Sequence, residues 1–217
     1  MSGRALSNPF CTRFFQPGSI PFFFTPPASL DVLVHTVLGE SRNRSAIVGP
    51  HGSGKSTLLT QMLKHPALAT SNCSIRHLHF QTGETHRHRW RASIRALQSI
   101  PKANRRLLAV DGWEQMDPIL QWYTRRCAGG RGVAILATAH TLPHGFREVW
   151  RTRVDSAVEQ HVLCHMLKDT RELGPDTVTH SEAWFRSRQR HGQNLRESLF
   201  DMYDWYRDQV DARTASG

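Results

Sequence analysis

Gly49, Gly54, Lys55 and Ser56 stand at the spacing G-x-x-x-x-G-K-[ST], an arrangement suited to holding a chain of phosphates. That chemistry needs backbone N–H groups curled around phosphate oxygens, an ammonium that reaches the terminal phosphates, and a hydroxyl for a divalent cation. Lys55 supplies the ammonium and Ser56 the hydroxyl, while Gly49, Pro50, His51, Gly52, Ser53, Gly54, Lys55, Ser56 and Thr57 together make the cradle. The flanks agree: the apolar run Ala46-Ile47-Val48 reads as a strand that delivers the loop, and Thr57 to Lys64 as a helix whose positive end faces the anion. The expected ligand is a Mg²⁺-bound nucleotide.

A second apolar strand, Leu107 to Val110, ends in Asp111, the Walker B arrangement in outline. Its carboxylate is placed to hold Mg²⁺ through water while the metal bridges the terminal phosphates. Ser56 and Asp111 are therefore the expected metal residues. Hydrolysis also needs a group that orients or deprotonates the attacking water. Many ATPases put a glutamate directly after the Walker B aspartate, where this chain has Gly112; the nearest replacement is Glu114. Two readings of Glu114 stand side by side: a catalytic carboxylate, or an acid favoured there by the dipole of a following helix. The sequence "ATAH" ends a further strand, Val133 to Thr138. Thr138 or His140 would sense the γ-phosphate or position the water at the carboxyl edge of the sheet, against the alternative of a polar strand tip entering solvent.

These residues need a scaffold of alternating strands and helices. Strands are expected at Ser45 to Val48, Ser74 to Gln81, Leu107 to Val110, Val133 to Thr138 and Val149 to Arg153, with helices around Leu30 to Leu38 (ended by Gly39) and Arg89 to Gln98. The fold class is α/β: a mainly parallel P-loop sheet sandwiched by helices, with a small C-terminal helical lid. The lid has two apolar stripes, Val158, Leu163, Val162, Met166 and Leu167, then Leu195, Leu199, Met202, Tyr203, Tyr206 and Val210. Residues 1–27 form an extended aromatic and proline-rich segment, 28–153 the P-loop core, 154–211 the lid and 212–217 a frayed tail.

The 217 residues carry 28 Lys+Arg against 18 Asp+Glu, a formal charge of +10 that favours an anionic partner beyond the nucleotide. The basic stretch Arg87 to Arg106 interleaves arginines with Trp90, as sequence-independent nucleic-acid surfaces do; a solvated helix face is the other reading. Apolar runs are short and broken by prolines, so no membrane span is expected. Cys11, Cys73, Cys127 and Cys164 are scattered without a C-x-x-C pair, which suits reduced thiols and a cytoplasmic protein. His161 and His165, and His77 and His79, share faces, but thirteen histidines produce such pairs by chance and no third ligand stands at matching spacing.

After the lid begins, "GQNLRESLFDMYDWY" places Gly192 and Arg196 at the opening of a helix. With the phosphate loop, Walker B strand and polar fourth-strand tip, this resembles a compact AAA+ ATPase of the ASCE type, and small bacterial P-loop proteins of no assigned role. The resemblance implies that Arg196 is a sensor 2 arginine reaching the bound phosphates, that the cofactors are ATP and Mg²⁺, and that a homo-oligomer or partner protein assists slow hydrolysis. The activity expected is a nucleotide-driven switch or motor; the alternatives are a small-molecule kinase and a non-hydrolysing nucleotide-gated adaptor. The sequence shows neither the LSGGQ signature of ABC transporter ATPases nor the N/T-K-x-D of GTPases.

Overall fold

Apolar runs bounded by helical stretches become a five-stranded, all-parallel sheet in the computed structural model, which describes residues 8–11, 16–24, 28–39, 44–70, 73–80, 83–168, 170 and 173–215. Two compact units share the chain: an α/β unit, Phe24–Gly49 with Leu58–Thr152, and a helical unit, Met1–Phe23 with Pro50–Thr57 and Arg153–Gly217.

In the α/β unit the strands are β1 (Arg44–Val48), β2 (Cys73–His79), β3 (Arg105–Asp111), β4 (Ala134–Ala139) and β5 (Arg147–Arg151), in the order β2-β3-β4-β1-β5. The three inner strands are nearly continuous buried runs, as strands covered on both faces must be. The edge strands β2 and β5 are mostly part-buried and carry charged residues, which blunts their unpaired backbone. The fifth strand starts two residues before its expected position, and Gln81, the expected end of the second, lies outside the described residues.

Helix α1 (Leu30–Gly39) buries Leu33, Val34, Val37 and Leu38. The phosphate loop leads into α2 (Lys55–Leu63), followed by the short α3 (Pro66–Thr70). Two further helices, α4 (His86–Ser99) and α5 (Pro118–Gly130), cross from β2 to β3 and from β3 to β4. Both crossovers run in the same direction over the sheet, so their right-handedness puts α4 and α5 on one face; the opposite-running crossover from β1 to β2 takes the other.

The α4–α5 pair is tied at both ends. Thr85 caps α4 through His88 N–H, and Asp117 caps α5 through Leu120 N–H with Pro118 at the first helical position. Asp117 Oδ2 also accepts from Trp90 Nε1 at 3.2 Å and lies 3.5 Å from His86 Nδ1. At the far end Arg131 donates to the Leu97 carbonyl at 2.6 Å, and Trp90 packs on Tyr123 between them, ring centroids 5.5 Å apart.

In the helical unit, α6 (Ser156–Leu167), α7 (Pro175–Thr179), α8 (Glu182–His191) and α9 (Leu195–Ala215) close over Leu163, Met166, Val178, Trp184, Leu199 and Met202. Phe10 of the N-terminal segment is fully buried there, edge-on to Tyr206 at 6.3 Å. Tyr203, expected on the apolar stripe of α9, is 39% exposed instead, because at helical spacing it falls beside the buried Leu199–Met202–Tyr206 line. The side chain of Val210, residues 12–15 and 25–27 of the N-terminal segment, and tail residues 216–217 lie outside the described residues. No described helix is long and apolar enough to cross a membrane.

Burial raises the Asp117 carboxyl, but hydrogen bonds from Leu120 N–H, His86 and Trp90 together with the His86 charge hold it below its ordinary value. A depressed folded pKa means this stabilisation is complete above the unfolded value of about 4 and is lost as pH falls through the folded one. Asp117→Ala should cost about 1–2 kcal/mol in urea unfolding at neutral pH. The gap to wild type should narrow toward about pH 2; an equal gap at both pH values would show that the ionised carboxylate contributes nothing.

Candidate functional site

The loop begins where β1 ends and turns on two glycines in the left-handed region, Gly52 at φ +66° and Gly54 at φ +92°, a conformation other residues adopt only with strain. Within it, Ser53 Oγ donates to the Pro50 carbonyl at 2.8 Å and Lys55 Nζ donates to the same oxygen at 2.6 Å. Lys55 is only 8% exposed, so its ammonium is held inside the loop by an acceptor that a phosphate oxygen can replace.

The first turn of α9 stands directly against this loop. A Cβ added to Gly52 would lie 1.9 Å from Asn194 Oδ1 and 3.1 Å from Arg196 Cβ. Asn194 also caps α9, its Oδ1 accepting from Glu197 N–H at 3.3 Å. Arg196 therefore leaves the backbone beside the loop, with its guanidinium over the Phe200 ring at 5.7 Å. The Phe22 ring also lies close to the loop, 3.3 Å from where a Cβ on Gly54 would be. Asn194 escaped the sequence reading, although N-x-x-E from Asn194 to Glu197 is a helix-start signature.

In the α/β unit four predicted residues gather at the carboxyl ends of β3 and β4. Asp111, 5% exposed, accepts from Thr138 Oγ1 at 2.6 Å, and Thr138 in turn accepts from Gly112 N–H at 2.9 Å. The other carboxylate oxygen lies 2.9 Å from His79 Nδ1. His79 is the register partner of Asp111 on the neighbouring strand, a relation that spacing along one strand cannot reveal. Burial holds His77, two residues earlier, below the usual histidine value, against the raising effect of Asp111.

Glu114 sits on a single 3-10 turn, Trp113–Gln115, with its Oε1 2.9 Å from His140 Nε2. The other nitrogen of that imidazole, Nδ1, lies 3.3 Å from the carbonyl of Gly49, so one side chain ties the glutamate to the first residue of the loop motif. The helix that follows, α5, is capped by Asp117, while Glu114 stands in the first turn of the 3-10 segment before it. Gly112, directly after Asp111, has φ +86°, and a Cβ there would lie 3.0 Å from the Phe80 carbonyl. A glutamate directly after Asp111 would clash with β2's end.

The donor set suits Mg²⁺, which usually takes one or two carboxylates and completes its shell with water and phosphate oxygens. A buried carboxylate at the end of β3 fits that pattern. No group of three or more His, Cys, Asp or Glu side chains able to hold a metal is found among the described residues.

No protein-family model and no curated protein matches the sequence. Solved structures do match in three dimensions. A DNA replication initiation factor superposes with a TM-score of 0.51 at 13% identity over 83% of this chain, and the Aeropyrum pernix ORC2 protein, solved in ADPNP and ADP complexes, with 0.55 at 10% identity over 87%. The chain shares the parallel α/β fold of these structures. It spans 64% of the length of each of those two structures. Its parallel sheet places β4 between β1 and β3, so the strand that bears Thr138 and leads into His140 separates the strand that feeds the loop from the strand that carries Asp111.

The contact between loop and α9 can be measured. Gly83, at φ +95° with open space around it, is the control: Gly83→Ala should cost only the left-handed backbone, about 1–2 kcal/mol. Gly52→Ala must also displace Asn194 and should cost clearly more in denaturant unfolding. Adding Asn194→Gly should recover the excess, since glycine is tolerated at a helix cap. Equal losses for the two single variants would mean that α9 does not abut the loop.

Proposed function

We propose that this chain binds Mg-ATP and hydrolyses it as an AAA+-like nucleotide-driven switch or motor. The observation that carries the reading is the packing of Gly52 against Asn194 and Arg196, which puts the arginine of a C-terminal helix beside a phosphate-loop backbone. The nucleotide complexes of the ORC2 protein support ATP as the ligand class.

In this reading the backbone N–H groups from Gly49 to Thr57 hold the phosphates, and Lys55 exchanges the Pro50 carbonyl for a terminal phosphate oxygen. Ser56 and Asp111 hold Mg²⁺, which when bound neutralises charge developing on the phosphates. Thr138 fixes the Asp111 carboxylate. Glu114 orients and deprotonates the attacking water, and His140 holds Glu114 in place. Arg196 swings from Phe200 toward the γ-phosphate, so ATP and ADP differ in what they offer the helix that carries it. A partner or second copy that speeds turnover, a cytoplasmic site of action and nucleic-acid contact through Arg87 to Arg106 belong to the same proposal; the DNA replication initiation factor of similar fold supports the last.

Lys55→Ala should abolish the rise in Tm produced by Mg-ATP while the nucleotide-free protein keeps its circular dichroism. A normal Mg-ATP shift in that variant overturns the reading of the loop. For the chemical step, Glu114→Gln should retain ATP affinity and slow phosphate release about a hundredfold or more, the scale of a positioned base. Turnover equal to wild type would leave Glu114 as a structural partner of His140; transfer of the phosphate to a metabolite in place of water would make the protein a kinase.

A further inference from the structure

Outside the nucleotide site, exposed aromatic and cationic side chains gather on the outer face of the α4–α5 pair. Helix α4 points Ser93, Ala96 and Leu97 at the sheet. Arg87, Arg91 and Arg95, at i, i+4 and i+8, are exposed on its opposite side. Helix α5 points Leu120, Thr124 and Ala128 inward and leaves Ile119 67% and Trp122 59% exposed, with Arg126 one turn further along the same side. The two helices run side by side from the Asp117–Trp90 contact at their starts to the Arg131–Leu97 contact at their ends, so the two stripes lie next to each other.

We infer that this face is a binding platform for single-stranded nucleic acid, with Arg87, Arg91 and Arg95 along the phosphates and Trp122 stacked on a base. Neither helix contains an acidic residue, and Asp117 at the margin is engaged with His86 and Trp90, so a polyanion meets no like charge on either helix. Arginines one turn apart are spaced by about 6 Å along the axis, close to the repeat of successive phosphates in an extended strand. An exposed tryptophan beside them finds a π-face on any unpaired base, whereas a duplex keeps its bases stacked inside. A partner helix would need an apolar groove between the two ridges, and that seam is filled by Trp90 and Tyr123. The inference rests on the nucleic-acid association proposed above and names its class. It does not depend on ATP hydrolysis.

Fluorescence anisotropy of a labelled mixed-sequence DNA single strand and of its duplex, titrated with the full chain at several salt concentrations, tests it. The single strand should bind more tightly than the duplex. Trp122→Ala, an exposed change that leaves the fold intact, should weaken single-strand binding about tenfold or more and leave duplex binding unchanged. Arg91→Ala with Arg95→Ala should flatten the slope of log K against log salt by about 1.4 for the single strand. Equal binding of strand and duplex, indifferent to Trp122→Ala, would overturn the platform while leaving a general nucleic-acid contact standing. Failure to bind either form at low salt would remove both.

Discussion

Burying the Asp111 carboxylate at the end of an inner strand leaves its oxygens dependent on protein donors, since an unpaired buried charge is among the most costly features a fold can contain. Much of the α/β unit answers that requirement. Parallel pairing of β3 with β2 brings His79 into register with Asp111, and β4 on the other side supplies Thr138, whose hydroxyl accepts from Gly112 while donating to the carboxylate. The same β4 carries His140 one residue past its end, within reach of Glu114. One strand thus orients both acidic groups, the first directly and the second through an imidazole.

The helical unit is organised by a different constraint, the close approach of a side chain to the loop backbone. Gly52 has no room for a side chain because the capping Asn194 occupies the space a Cβ would take. A change in the loop at this point must be felt at the first turn of α9, and α9 is anchored in a core that includes Phe10 from the N-terminal segment. Packed cores of this kind respond as bodies and do not deform gradually. That is the physical basis for reading Arg196 as part of a switch.

Much of the scaffold was legible in the residues. The loop motif, the apolar runs that became β1, β3 and β4, and the stop at Gly39 are all local signals, and each appears within a residue or two of its expected place. The apolar stripes of α6 and α9 were legible too over the described side chains, apart from Tyr203, which helical spacing alone leaves on the margin of the buried line. What stayed hidden were the partners. His79 looked like half of a chance metal pair and is the neighbour of Asp111; Glu114 and His140 looked like separate candidates and are in contact; Asn194 went unnoticed.

By itself, then, the sequence determined the core strands, the phosphate loop and the acid that ends β3, because hydrophobic period, glycine spacing and terminal charge act over a few neighbouring residues. Only the tertiary structure decided why a glycine follows Asp111 and the next carboxylate, Glu114, stands two positions beyond it. The Phe80 carbonyl, which crowds Gly112, belongs to a segment far away in the chain. Likewise, the register of β2 on β3 and the approach of α9 to the loop are set by which surfaces can be buried together, a long-range condition that no local window of residues contains.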